Sequence, residues 1–322
     1  MVTLEDVKAA RSRISDQIYL SPCAKSLSLS RLAGCETYLK LENLQMTGAY
    51  KERGALNKLL CLSPAERAAG LVAASAGNHA QAVAYHAGRL GIPATIVMPE
   101  GTPLIKVANT RGHGARVVLS GSNYDEAYTE ARRVEQAEGL TFIHPFDDPF
   151  IIAGQGTIAL ELLEQVPDLE AVLVPVGGGG LISGMAVAFK STAPAVKVVG
   201  VETEALPCML ASLDEGRRVV ALLSGGNIDV NVVARVIERG LVRDGRLVRI
   251  VVALQDKPGQ LAKVSAVIAT HRANVIEVHH TRAFSHRFGD TTLQLTLETR
   301  GPDHVEDILR ALRERGYQVQ RV

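Results

Sequence analysis

The sequence predicts an α/β protein with parallel sheets that carry helices on both faces, followed by a small ferredoxin-like βαββαβ unit. From Leu71, and again from Ala171, short apolar runs alternate with amphipathic stretches of helical length. That alternation is the pattern of strands joined by crossover helices in a parallel sheet. After Gly225 the order changes to strand, helix, strand, strand, helix, strand, the order of a ferredoxin-like module.

The elements follow in turn. The opening "MVTLEDVKAARSRI" reads as an amphipathic helix; its acidic residues fit neither a secretory signal nor a transit peptide, so the protein is expected in the cytoplasm. The run "LVAAS" leads through a glycine turn into a helix reaching about Leu90, and "PATIVMP" is the next strand. A helical "TPLIKVANTRGHG", the run "ARVVLSG", a long helix through "DEAYTEARRVEQAEG" and "TFIHP" repeat the beat; "AVLVPV", "LISGMAVAFKSTA" and "VKVVGVE" resume it. In the last part "GRLVRIVVAL", "ANVIEVHHTR", "DTTLQLTLET" and "YQVQRV" are strands, with helices over "PGQLAKVSAVIATHR" and "PDHVEDILRALRERG". The polar turn "RDGR" places a boundary between residues 243 and 244, giving domains 1–243 and 244–322, with a smaller subdomain at about 69–146.

Bulk composition excludes several partners. With 35 basic and 34 acidic side chains the formal net charge is +1, which points to neither a nucleic-acid backbone nor a membrane surface. Ala171–Phe189 carries no charge and is nearly long enough to span a bilayer, but Pro175 and four consecutive glycines break it. Cys23, Cys35, Cys61 and Cys208 are widely spaced and form no metal-ligand pattern with histidine, so free thiols and no metal are expected.

Four short segments could carry chemistry. "TGAYKERGA" puts Lys51 between Tyr50 and Glu52 at the start of a helical pattern; the plain alternative is a solvated surface lysine. "VPVGGGGLISG" leaves backbone N–H groups free between a strand and a helix, which suits a phosphate, or is simply a tight turn. "ASAGNHAQA" offers hydroxyl, amide and imidazole groups with main-chain donors suited to a carboxylate, or is an ordinary capping turn. "LLSGGNID" ends an apolar run in Ser224, which could be only a cap. Together, a lysine able to form a Schiff base, a phosphate cradle, a carboxylate-binding turn and a hydroxyl at a strand end are what a pyridoxal phosphate site requires.

In these motifs, and in "GVE" and "VIERGL", the sequence resembles the fold-type II pyridoxal-phosphate enzymes (tryptophan synthase β-like), and within them the threonine dehydratase (threonine ammonia-lyase) family. The part after residue 243, with "DKPGQLAKV" and "LETRG", is similar to an ACT domain. The resemblance implies that Lys51 is the Schiff-base lysine, with Tyr50 packed beside the cofactor and Asn78 on its ring hydroxyl. Gly177, Gly178, Gly179 and Gly180 would bind the cofactor phosphate. Ser75, Ala76, Gly77 and His79, in the turn around Asn78, would hold the substrate carboxylate, and Ser224 would face the pyridine nitrogen. A hydroxyl there stabilises less carbanion charge than a carboxylate would, which favours prompt loss of a β-hydroxyl.

The implied reaction is deamination of L-threonine, and of L-serine, to 2-oxobutanoate or pyruvate with release of ammonia. Lys51 removes the α-proton, so it must be neutral; burial and the positive end of its helix lower its pKa. Racemases of the family tend to carry a second serine where this chain has Ala76, which favours dehydration. Glu202 matches a divalent-cation ligand of some relatives, but Cys208 stands where an acidic partner belongs.

The resemblance is interrupted. Between "LDEGRRV" and "VALLSGGNID" the family carries roughly 80 more residues, the size of a small domain, and here Gly216 to Ala221 span the join. Two readings follow: an active lyase regulated by an amino acid at its ACT domain, or a shortened relative whose ACT domain binds an amino acid and associates while catalysis is impaired. The effector is expected near Asp256, Gly259, Gln260 and Leu261, and the chain is expected to be a homo-oligomer, dimer or tetramer. The adjacent His279 and His280 alternate faces on a strand and so do not chelate one metal together.

Overall fold

The computed structural model describes residues 1–201, 219–225, 230–281 and 290–322. The chain divides into two compact units, Met1–Asn227 and Ile228–Val322.

In the first unit the elements are α1 (Leu4–Ile14), β1 (Cys23–Lys25), α2 (Leu27–Ala33), β2 (Thr37–Leu41), α3 (Lys51–Leu60), α4 (Pro64–Ala69), β3 (Leu71–Ala74), α5 (Asn78–Arg89) and β4 (Ala94–Met98). They continue with α6 (Leu104–Gly112), β5 (Arg116–Leu119), α7 (Tyr124–Glu138), β6 (Thr141–Phe142), α8 (Pro149–Gln165), β7 (Ala171–Pro175), α9 (Gly180–Thr192), β8 (Lys197–Val201) and β9 (Val219–Leu223). One sheet, in the order β5-β4-β3-β6, is parallel throughout. Its central strands β3 and β4 are buried on both faces, as in a sheet covered on both sides. Leu71, Ala73, Ile96 and Met98 face a core shared with α3 and α5, while Val72, Ala74 and Val97 face Ala127, Ala131 and Val134 of α7.

The other sheet runs β1-β2-β9-β7-β8, with only β1 antiparallel. Its core joins β7 to α1, α8 and α9. Strand β9 enters the middle of this sheet, pairing Thr37–Leu41 on one side and Ala171–Leu173 on the other. Its composition explains why it can: "VVALL" is an unbroken apolar run fit for a buried parallel strand. Glu202, Cys208 and the start of the join, 216–218, lie outside the described residues.

The second unit contains α10 (Val230–Arg243), β10 (Leu247–Gln255), α11 (Gln260–Thr270), β11 (Asn274–Thr281), β12 (Asp290–Glu298), α12 (Pro302–Glu314) and β13 (Gln318–Arg321). Its antiparallel sheet, β11-β12-β10-β13, has ferredoxin-like strand order. Val248, Ile250, Val252 and Leu254 alternate along β10 and pack with Leu293, Leu295 and Leu297 against α11 and α12. Helix α10 groups with this unit, so the division falls ahead of the 243/244 boundary drawn from the turn "RDGR".

Candidate active site

In open α/β sheets, ligands bind beyond the carboxyl ends of the strands. Here the residues following β3, β6, β7 and β9 meet the loop that enters α3.

Lys51 is the first residue of α3, and Tyr50 before it caps the helix with no side-chain hydrogen bond. Lys51 is partly buried, its Nζ donates to the carbonyl of Pro145 at 2.6 Å, and it lies 5.4 Å from the centre of the Tyr50 ring. Burial pushes its pKa down to about 8, because an ammonium removed from water without a carboxylate partner is destabilised. The Tyr50 hydroxyl is pushed up to about 12 by burial.

Ser224 follows β9, and its carbonyl accepts the Tyr50 amide at 3.0 Å, while Ala49 and Gly225 form an antiparallel bridge. A Cβ at Gly225 would stand 3.0 Å from Asn78 Nδ2. The sheet therefore brings Ser224 to the lysine loop and to the start of α5.

After β3, Ser75 Oγ accepts the Gly77 amide at 3.2 Å, and Asn78 opens α5. The first-turn amides of a helix have no intrahelical acceptor, so this turn presents backbone donors. The ring of His79 is buried, with Nε2 placed 3.1 Å from the Ile143 carbonyl. Burial, with Lys51 nearby, pushes its pKa down to about 3. The neutral ring then donates from Nε2 and keeps a lone pair on Nδ1, which has no partner among the described residues. His79 thus braces the turn from behind, and what it can offer a carboxylate is its backbone.

Gly177–Gly180 join β7 to α9, with Gly179 at φ +81 and no side-chain cap on the helix. Gly178 and Gly180 are required by close approach: a Cβ would lie 2.3 Å from the Phe146 ring in the first case and 2.6 Å from the Phe146 carbonyl in the second. At Gly177 and Gly179 a Cβ would meet nothing within 4 Å. Open glycine backbone at an uncapped helix N-terminus is a phosphate cradle. With a lysine of depressed pKa and an amide at Asn78, the donor set fits pyridoxal phosphate.

Sequence reading missed the segment Ile143–Phe146, which ties these parts together. Its carbonyls receive His79 and Lys51, its aromatic ring lies on the glycine loop, and His144 Nδ1 accepts the Asp147 amide at 2.7 Å to shape the turn. The available signal was that "TFIHP" ends a strand beside β3, so both emerge at one edge. Sequence reading also missed a buried ionic cluster behind Lys51. Arg53 bonds Glu42 through Nε and Nη2 at 2.8 Å and Glu161 through Nη1 at 2.6 Å, and Lys40 reaches Glu161 and the Ser21 carbonyl.

In the second unit Gly259 adopts φ +86 and precedes α11, which Gln260 and the 40 % exposed Leu261 open; Asp256 directly follows β10. His279 and His280 both lie on β11.

Two α/β layers closing on a buried lysine, a glycine cradle and a carboxylate turn define a pyridoxal-phosphate enzyme. The sequence pattern of the pyridoxal-phosphate dependent enzyme family matches residues 14–284, and the chain belongs to that family. Its cofactor is pyridoxal 5'-phosphate. The chain is 42 % identical to L-threonine ammonia-lyase of Thermotoga maritima over 398 aligned positions, covering 99 % of each chain. It is 37 % identical to L-threonine ammonia-lyase of Geobacter sulfurreducens over 392 positions, covering 97 % of this chain and 98 % of the other. Among solved structures, threonine deaminase isoform 2 from Solanum lycopersicum superposes with a TM-score of 0.67 at 32 % identity, over 73 % of this chain and 86 % of that one.

Proposed function

We propose that this protein deaminates L-threonine, and L-serine as a second substrate, by eliminating the β-hydroxyl, and releases 2-oxobutanoate or pyruvate with ammonia. The observation that carries the proposal is the position of Lys51, partly buried and depressed to about 8, at the meeting point of the glycine loop, the Ser75–His79 turn and Ser224. Relatives named L-threonine ammonia-lyase, matched over nearly the full chain, support the substrate.

When bound, pyridoxal phosphate supplies an electrophilic carbon for the substrate amine and an electron sink for charge developing at Cα. The protein supplies the rest. Gly177–Gly180 and the N-terminus of α9 would hold the phosphate, Asn78 would bond the ring hydroxyl, and the Tyr50 ring would pack beside it. The Ser75–His79 turn, Ala76 and Gly77 included, would hold the substrate carboxylate, with the amides of Ala76 and His79 as its open donors, since the Ser75 amide donates to the Val97 carbonyl and the Gly77 amide to Ser75 Oγ; that would point Cα–H at Lys51. A lysine with pKa near 8 is partly neutral at physiological pH and takes that proton. Ser224, whose carbonyl accepts the Tyr50 amide, would stand at the ring nitrogen and offer it a neutral hydroxyl where a carboxylate would make the ring a stronger electron sink.

The shortened block belongs to the same proposal. An alignment of 398 positions against a chain of 322 residues leaves at least 76 positions of the Thermotoga relative without a counterpart here. The central place of β9 supports retention of the site despite that loss. The ferredoxin-like unit is assigned as an ACT domain, with an amino-acid effector near Asp256, Gly259, Gln260 and Leu261. The assembly is a homo-oligomer, dimer or tetramer, in the cytoplasm; no described helix is long and apolar enough to cross a membrane.

The test is to load the purified protein with pyridoxal phosphate, add L-threonine, and measure 2-oxobutanoate and ammonia beside a Lys51→Ala variant. Lys51-dependent production of both is expected. A folded, cofactor-loaded protein that releases neither overturns the proposal and favours the impaired, amino-acid-binding relative.

A further inference from the structure

We propose that a recess at one end of the sheet in the second unit binds a small molecule through its phosphate group. The inference is independent of how the catalytic unit is read. Arg246 ahead of β10, Arg272 in the turn between α11 and β11, and Arg300 between β12 and α12 line one recess of about 370 Å³, together with Asn274, Glu298 and Thr299. These turns lie at the N-terminal end of β10. The loop Asp256–Leu261, where the amino-acid effector is assigned, follows its C-terminal end, so the two sites are at opposite ends of the sheet.

Three features distinguish this recess from an ordinary solvated face. First, three exposed arginines line the recess with a single carboxylate. Three guanidinium groups face one carboxylate, that of Glu298, which is bonded instead to Asn274 Nδ2 at 3.5 Å. Among the described residues none of the three guanidinium groups has an ion-pair or hydrogen-bond partner, whereas the exposed Arg310 pairs with Asp307 and Arg116 with Glu138.

Second, the backbone that carries the three arginines is fixed. The buried His304 accepts the Arg300 amide at Nδ1, 3.1 Å away, and Nε2 donates to the His271 carbonyl at 2.6 Å, so one imidazole pins two of the turns. The Thr299 amide donates to the Arg246 carbonyl at 2.9 Å and fastens the third. Third, Arg272 has φ +59, the one non-glycine residue in the left-handed region among the described residues. Side chains other than glycine, asparagine and aspartate rarely adopt this conformation because of their Cβ.

The geometry selects the ligand class. A guanidinium fork binds two oxygens of one anion, so three forks suit a tetrahedral dianion with several oxygens better than a single carboxylate. The recess is larger than a phosphate ion needs, which leaves room for an organic remainder.

The test is calorimetric titration of the protein, loaded with pyridoxal phosphate and then desalted so that the catalytic cradle is filled and no free cofactor remains, with inorganic phosphate and separately with glycerol 3-phosphate at low ionic strength. Arg272→Gln/Arg300→Gln and the single variant Arg246→Gln are titrated in parallel, and circular dichroism verifies the fold of each. Saturable binding of one equivalent per chain, weakened at least tenfold in the double variant and measurably in the single one, is expected. Tighter binding of glycerol 3-phosphate identifies a phosphorylated metabolite, and equal binding identifies free phosphate; either supports the site. No saturable binding of either probe, or binding unchanged in the variants, overturns it.

Discussion

The backbone amide of Tyr50 donates to the carbonyl of Ser224 at 3.0 Å. The residue that introduces Lys51 is thereby fastened to the end of β9. Because β9 lies between β2 and β7, its end and the glycine loop after β7 reach the same edge of the sheet. Lys51 closes the arrangement by donating to Pro145, whose neighbour Phe146 rests on Gly178. The site does not depend on one loop, since each of its segments is held by another.

Gly180 tests that interlock. A methyl group there would sit 2.6 Å from the Phe146 carbonyl, a backbone atom that cannot rotate away. Gly180→Ala is expected to push the glycine loop off the Ile143–Phe146 turn, with a strain of about 1–3 kcal/mol. Cofactor retention, measured by the fluorescence of bound pyridoxal phosphate during dilution, should weaken about tenfold or more, since about 1.4 kcal/mol is tenfold in affinity. Retention equal to the wild type would show that the loop accommodates a side chain.

Lys51 should attach the cofactor in a pH-dependent way. With a pKa of about 8 in the folded protein against 10.5 for a free lysine, the nucleophilic neutral amine becomes dominant near pH 8. Followed by visible absorbance, the rate of covalent attachment to cofactor-free protein should climb up to about pH 8 and then level off. The linkage has a matching sign: the folded state binds fewer protons at this lysine than the unfolded chain does. Burial of Lys51 therefore lowers stability below pH 8, and the loss is relieved as pH rises from about 8 to 10.5. A rate still rising steeply at pH 10 would mean that the lysine is solvated.

His79 should remain neutral where an ordinary histidine is charged. Burial, helped by Lys51, holds its pKa near 3, and its Nε2–H donates to Ile143. Nitrogen NMR of the ring at pH 5 should show the Nε2–H tautomer with a free Nδ1. The unfolded chain protonates this residue near 6.5, so His79 removes stability as pH falls from about 6.5 toward 3. His79→Gln preserves a donor to Ile143 without the titration and should flatten that part of the stability profile. A protonated ring at pH 5 would refute the assignment.

The parts of this fold legible in the sequence were those with a strong local period. The parallel sheet from Leu71 onward and the βαββαβ unit were readable because buried strands and amphipathic helices leave distinct patterns. The glycine loop, the Ser75–His79 turn and Lys51 were legible as residue types with a chemistry. Strands β1 and β2 went unread because their burial is set by partners distant in the chain: β2 pairs with β9, almost two hundred residues away. The role of Ile143–Phe146 was hidden for a similar reason. Its contribution is made by two backbone carbonyls, and a carbonyl has no side-chain signature. The pairing of β9 could not be settled from "VVALL" itself, since that run would suit any buried position.

The buried cluster behind Lys51 should govern both stability and its acid limit. Arg53 lies on the same helix as Lys51, 1 % exposed, and bonds Glu42 and Glu161, while Lys40 also contacts Glu161. Burial alone would raise the carboxyl of Glu42, but the charge and hydrogen bonds of Arg53 outweigh it and hold the group below its ordinary 4.5. Because its folded value is depressed, Glu42 contributes stability above about pH 4.5 and loses it as pH falls through the folded value. Arg53→Met leaves two carboxylates buried with one lysine between them and should cost about 3–5 kcal/mol, read as a lower urea midpoint at pH 7. Adding Glu42→Gln to Arg53→Met removes the uncompensated charge and should recover part of that loss, although each change alone destabilises. A double variant no better than Arg53→Met would place the cost in lost packing rather than in unpaired charge, and Arg53 would then hold the lysine helix to α8 mainly by its shape.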